Sequence, residues 1–170
     1  MSKLTPIPKL INLGPIIFLY YLSISEIDTH FENFFEILSF NIQLIIIYFW
    51  SLKRPQIIGN GHIFFAGLIN DTVMGIPLGL SSISYLIVSL VATYIRNMTV
   101  NTSITTDWFT FFIAICLSNS AVLILITNFT ELSISFVEIS YNTFFSLIFY
   151  PFFWFFFNLY NSFITTGKNV

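Results

Sequence analysis

Few side chains in this 170-residue chain are of a type that does chemistry, so each can be weighed in turn: Asp71 and Asp107, His30 and His62, and Cys116. Two aspartates sharing a proton would make an intramembrane aspartyl protease, but Asp71 and Asp107 flank different apolar runs and are expected at opposite ends of them. A serine or cysteine hydrolase needs a base within reach of its nucleophile. His62 opens the third apolar segment, His30 falls in the loop after the first, and Cys116 has no basic neighbour in sequence. Metal binding needs a cluster of ligands, which two scattered histidines do not supply. The expectation is a protein that is not an enzyme and carries no metal or cofactor. Asp71 has the strongest claim to a role, because a carboxylate at bilayer depth costs several kcal/mol and marks a functional site by default.

The stretch that must position Asp71 runs from Ala66 to Leu80 and holds Gly67, Gly75, Pro77 and Gly79. Helical spacing puts Gly67, Asn70 and Asp71 on one face. Asp71 to Ile76 reads as a turn, in which Gly75 can take positive φ. Pro77 reads as an early residue of the next helix, where its missing N–H loses nothing, and Gly79 as a point of close helix approach. Asp71 precedes that helix closely enough to cap its free N–H groups.

Composition sets the wider frame. The chain is 56% hydrophobic, 19% aromatic and only 8% charged, whereas soluble domains carry roughly a quarter charged residues. That is the composition of an all-α integral membrane protein, a single polytopic domain over residues 1–170. Crossing the hydrocarbon takes about 20 apolar residues. Six spans are expected, near residues 10–25, 33–52, 57–70, 76–95, 108–130 and 139–164, with Pro151 kinking the last. If the N-terminus is cytoplasmic, Lys3, Lys9, Lys53, Arg54, Arg96 and Lys168 all fall on the cytoplasmic side, as the bias of basic residues demands. Both termini are then inside. The net charge of −2 holds no message for nucleic acid, and a lone cysteine excludes a disulfide framework.

Spacing also suggests how spans pack. Gly79, Ser82, Ser89 and Thr93 form a small-residue stripe in the fourth span, and Ala114, Ser118 and Ala121 another in the fifth, each allowing close backbone approach. The sixth is wrapped in phenylalanine, as suits lipid contact. In the second, Glu36, Ser39, Gln43 and Trp50 recur at helical steps along one face.

Three segments in order carry a family resemblance: Tyr48-Phe49-Trp50-Ser51-Leu52-Lys53-Arg54-Pro55, then Phe64-Phe65-Ala66-Gly67-Leu68-Ile69-Asn70-Asp71, then Gly75-Ile76-Pro77-Leu78-Gly79-Leu80-Ser81-Ser82-Ile83-Ser84-Tyr85. Together they resemble the MreD family of bacterial rod-shape-determining proteins. The resemblance implies a non-catalytic scaffold of the plasma membrane. Its partners would be an MreC-like single-pass protein, RodA with its penicillin-binding transpeptidase, and the MreB filament. Trp50, Lys53, Arg54, Pro55, Gly67, Asp71, Gly75, Pro77 and Gly79 are the residues it singles out for partner binding or structure. Lys53 and Arg54 would face the filament or anionic lipid, or act only as topogenic charge. The family is also similar in fold to the S components of energy-coupling-factor transporters. That likeness gives a rival reading, a small-molecule subunit with its cavity face at Glu36, Ser39 and Gln43. S components typically carry an alanine-x-x-x-alanine docking motif on the first helix, and Gly14-Pro15-Ile16-Ile17-Phe18 has none.

Overall fold

Residues 44 to 50 are seven bulky apolar side chains in succession, Leu44-Ile45-Ile46-Ile47-Tyr48-Phe49-Trp50. A helix apolar on every side has to be surrounded, and the architecture follows from that requirement. The computed structural model describes residues 7–25, 34–98, 103–129 and 136–166, with side chains at 13–25, 42–98, 103–128, 136–137 and 139–164. Within them the chain is all-helical: α1 (Ile7–Ile24), α2 (Phe34–Lys53), α3 (Asn60–Met74), α4 (Leu80–Met98), α5 (Ile104–Phe129) and α6 (Phe136–Thr166). All seven residues from Leu44 to Trp50 are buried. Around α2 the other helices follow the order α1, α3, α4, α5, α6, each packed on the next, and α1 meets α6 only slightly. The loose seam leaves a groove of about 330 Å³ lined by Gly14, Phe18, Trp50, Phe156 and Tyr160.

The outer faces of the ring remain apolar. Ile17 and Tyr21 on α1, Leu90 and Tyr94 on α4, Phe109 and Leu117 on α5, and Phe152, Phe155 and Phe163 on α6 are all exposed. Water-soluble monomers do not show apolar surface on this scale. Among the described residues, two helices are long and apolar enough to cross a membrane by themselves, over Ile104–Asn128 and Ile139–Ile164. The second passes through Pro151 without leaving the helix.

The ends of the helices depart from the hydropathy reading where polar capping decides them. The helix α3 continues through Asp71 to Met74, so Asp71 belongs to its last turn and not to a loop. It stops at Gly75, whose left-handed backbone (φ 64°) turns the N–H back onto the Asp71 carbonyl, the usual glycine ending of a helix. Pro77 is not the early helical residue expected: it lies in the turn, its carbonyl accepting the Leu80 N–H, and α4 begins only at Leu80. At the other end of the bundle α5 starts at Ile104 rather than at 108, because the Ser103 Oγ accepts the Thr106 N–H (3.3 Å) as a capping serine does.

Small polar residues sit where the helices approach closely. Gly67 lies directly against the backbone of α4: a Cβ there would lie 2.6 Å from the Ser82 nitrogen. The Ser82 Oγ donates to the Phe64 carbonyl across the same contact (3.0 Å). Gly79 is not part of this stripe. It lies outside α4 at φ 104°, and a Cβ on it would meet nothing, so its need for glycine is conformational. Ser51 bonds Ser89 (3.1 Å) and joins α2 to α4, while Ser84 bonds Ser118 (2.6 Å) and joins α4 to α5.

Candidate functional site

Two polar clusters, each built on a fully buried carboxylate, interrupt this apolar bundle. The first belongs to α3 and the start of α4. Asp71 is 0% exposed. Its Oδ2 accepts the Gly79 N–H (2.6 Å) and its Oδ1 the Ser81 N–H (2.9 Å). Both groups are among the first N–H groups of a helix, which have no partner inside it. The local fold makes this possible, because the left-handed Gly75 reverses the chain and Gly79 at φ 104° lets the backbone bend in beneath the carboxylate. Hydrogen bonds to a charged acceptor contribute about 1.5–3 kcal/mol each. Asp71 therefore clasps α4 to α3 at their shared end.

The clasp extends into α2. Asn70 Nδ2 donates to the Ser81 Oγ (3.0 Å), and the Gln43 Nε2 donates to the Asn70 Oδ1 (3.2 Å). Gln43, Asn70, Asp71 and Ser81 are all buried. One polar chain thus crosses three helices.

The second cluster joins α2, α5 and α6. Lys53 at the end of α2 forms an ion pair with Asp107 in the first turn of α5, Nζ to Oδ2 at 2.9 Å, and the Trp154 indole N–H of α6 donates to the same oxygen (3.0 Å). Asp107 is 0% exposed and the Lys53 side chain 18%. Below it Tyr48 of α2 bonds the Thr110 hydroxyl of α5, and Phe111 stacks on Tyr150 with ring centroids 4.6 Å apart. Breaking one partner out of a buried pair is costly, on the order of 3–5 kcal/mol.

Several residues expected from the sequence to face partners are occupied within the bundle. Lys53 does not reach outward to a filament or lipid surface, because its ammonium is held on Asp107. Arg54 is half-buried, its N–H bonded to the Trp50 carbonyl, and Pro55 lies in the turn that follows. Trp50 packs edge-on against Tyr160 of α6, at 6.0 Å between centroids. Gln43 turns its amide to Asn70, while the side chains of Glu36 and Ser39 lie outside the described residues, as does His30. His62 is an exposed residue near the start of α3 and shares a hydrogen bond with the Tyr20 hydroxyl (3.2 Å). Asp71 and Asp107 engage different helices and share no partner among the described residues. Cys116 is half-buried beside a cleft between α5 and α6 that also holds Asn119 and Thr143, and no group of three metal-ligating side chains occurs among the described residues.

Hydropathy passed over the Asp107 cluster. A fifth span that starts at 108 leaves Asp107 in a loop. The legible signal was Ser103 three residues before Thr106, a serine cap that starts the helix early and brings Asp107 into its first turn, where an acidic residue suits the helix dipole. No family model, curated protein or solved structure matches the chain.

Proposed function

We propose that this chain is a multi-pass protein of a bacterial plasma membrane with six spans of the S-component type. On this reading it acts as a non-catalytic scaffold of the MreD kind in cell-wall elongation. Its activity is binding: the bundle docks an MreC-like single-pass helix and places RodA and its transpeptidase relative to the cytoplasmic MreB filament. The observation that carries the reading is the clasp at Asp71. Of the three sequence elements behind the resemblance, the one ending at Asp71 and the one containing Gly79 and Ser81 are bonded directly to each other, and Gly67 seats the first on Ser82 of the second. Residues that otherwise look like a chance scatter of glycine and aspartate form one structural unit. The broad apolar surface of α1, α5 and α6 supports the membrane setting and offers lipids and partner helices the same kind of contact.

Orientation follows from charge. Lys53, Arg54 and Arg96 lie in or just after the last turns of α2 and α4, and basic residues at span ends favour the cytoplasm. The turn around Asp71 then faces the periplasm.

Affinity purification of the tagged chain from its native membrane, with identification of the proteins that accompany it, tests the scaffold reading. An MreC-like protein together with cell-wall synthases is the expected result. Recovery with an ATP-driven transporter module would sink it in favour of the S-component role.

A further inference from the structure

Between α5 and α6 the outer surface of the bundle opens into a cleft of about 360 Å³, lined by Phe112, Asn119, Ser120, Ser140, Thr143 and Phe144. Hydrogen bonds fix what it presents. The Ser120 hydroxyl donates to the Cys116 carbonyl (2.8 Å), that of Ser140 to Phe136 (2.9 Å) and that of Thr143 to Ile139 (2.8 Å). With its proton committed in this way, the Thr143 oxygen accepts from the Asn119 Nδ2 (2.7 Å). The Asn119 amide is thereby held in one orientation. Its Oδ1 has no hydrogen-bond partner among the described residues, nor is it among the enclosed atoms of the bundle. One of its two N–H groups is free as well. Asn119 thus offers the cleft an open acceptor beside an open donor.

Depth decides what can answer them. Asn119 stands ten residues from the nearer end of α5 (Ile104–Phe129), about 15 Å at 1.5 Å per residue. In a hydrocarbon layer about 30 Å thick that is close to the centre, beyond the lipid headgroups. Acyl chains supply no hydrogen bond, and a polar group left open at this depth is costly. A helix, whose own backbone bonds are internal, can carry a polar side chain there. The cleft is concave, so it receives the ridge of a helix and does not close against a second cleft of its own kind. No charged side chain lines it among the described residues, which selects a neutral occupant.

We propose that the α5–α6 cleft is the docking groove for one membrane-spanning helix of another protein, which brings a neutral hydrogen-bonding side chain (Asn, Gln, Ser or Thr) at mid-span to the Asn119 amide. Ser120 and Ser140 let the two backbones approach closely, while Phe112 and Phe144 meet the apolar part of the incoming ridge. The inference deepens the scaffold reading and rests on its membrane setting.

The test places the full chain in phosphatidylcholine vesicles with a labelled synthetic helix of leucine and alanine that carries one central asparagine, and reads association by energy transfer. A control helix has leucine at that position. The wild type should bind the asparagine helix about tenfold more tightly, the factor for one hydrogen bond between helices in a membrane. Asn119→Val should make the two affinities equal. Ser140 is exposed and bonds only within its own helix, so Ser140→Leu should fill the cleft and weaken both peptides with no fall in the thermal midpoint of the chain. Equal wild-type affinities would overturn the proposal, as would a preference that survives both substitutions. Purification from the native membrane separates the cleft from the scaffold. Cell-wall partners retained in full by Asn119→Val and Ser140→Leu would overturn the cleft and leave the scaffold standing. A peptide preference lost in Asn119→Val, with no such partner recovered by the wild type, would support the cleft and remove the scaffold.

Discussion

Asp71 and Asp107 are the same residue type, both wholly shielded from solvent, yet the bundle accommodates them by different means. Asp107 is held by side chains brought from two distant helices, the Lys53 ammonium and the Trp154 indole. Asp71 is held by backbone N–H groups eight and ten residues along its own chain. The first arrangement depends on long-range assembly and fixes α5 and α6 against the central α2. The second depends on a turn and fixes neighbours in sequence. A carboxylate held by a side-chain ion pair fails when either partner is removed, whereas one held by the backbone fails only when its own side chain or the turn changes.

The sharpest way to break the comparison is at the Asp107 pair. Lys53→Met strands a buried carboxylate and should lower stability by about 3–5 kcal/mol, measured as the thermal midpoint in detergent. Replacing both partners, Lys53→Met with Asp107→Leu, should recover most of that loss, because neither variant charge is left unpaired. A double variant as unstable as the single one would mean that the pair itself, and not the stranding of a charge, supplies the stability.

Next in size is the seat of α3 on α4. Gly67→Ala places a methyl group against the Ser82 backbone. Overpacking of a fixed contact costs about 1–3 kcal/mol, and here it also pulls the two halves of the Asp71 clasp apart. Asp71→Asn is milder. Asparagine keeps one acceptor but presents an NH₂ to the second backbone N–H, so the loss should be about 1–2 kcal/mol, seen as a lower melting midpoint with normal membrane insertion. No loss at all would indicate that only one of the two hydrogen bonds supports the helix pair.

The contrast also explains what was legible in the sequence. Hydropathy located six helices because each contains an apolar run, and helical spacing grouped Gly67, Asn70 and Asp71 correctly on the buried face of α3. A capping role for Asp71 is readable because its partners lie only eight and ten residues along the same chain. What hydropathy does not carry is the exact end of a helix. Hydropathy puts Asp71 in a turn and Pro77 in a helix because an average over many residues cannot register the left-handed Gly75 that ends α3. The Lys53–Asp107 pair was hidden for a different reason. Its members are 54 positions apart, and the positive charge that sets topology looks the same in sequence as one that forms a buried ion pair. Nor could Gln43 be assigned to Asn70 before α2 was known to be the centre of the ring.

The smallest expected effect, at Gly75, separates the two glycines of the clasp. Both have positive φ, 64° at Gly75 and 104° at Gly79, and neither has a neighbour that a Cβ would strike. Sterics of the residue's own backbone therefore decide the outcome. The Gly75 value lies in the left-handed region that asparagine visits readily, so Gly75→Asn should cost only a few tenths of a kcal/mol, about the limit of a melting measurement. The Gly79 value lies well beyond that region, and Gly79→Asn should cost about 1–2 kcal/mol. Gly79 also donates its N–H to Asp71, so strain there is relieved by loosening the same hydrogen bond that Asp71→Asn weakens. The two substitutions should then be less than additive when combined, the sign of shared partners. Full additivity would mean that the turn holds its shape without the carboxylate, and that Asp71 serves the site more than the fold.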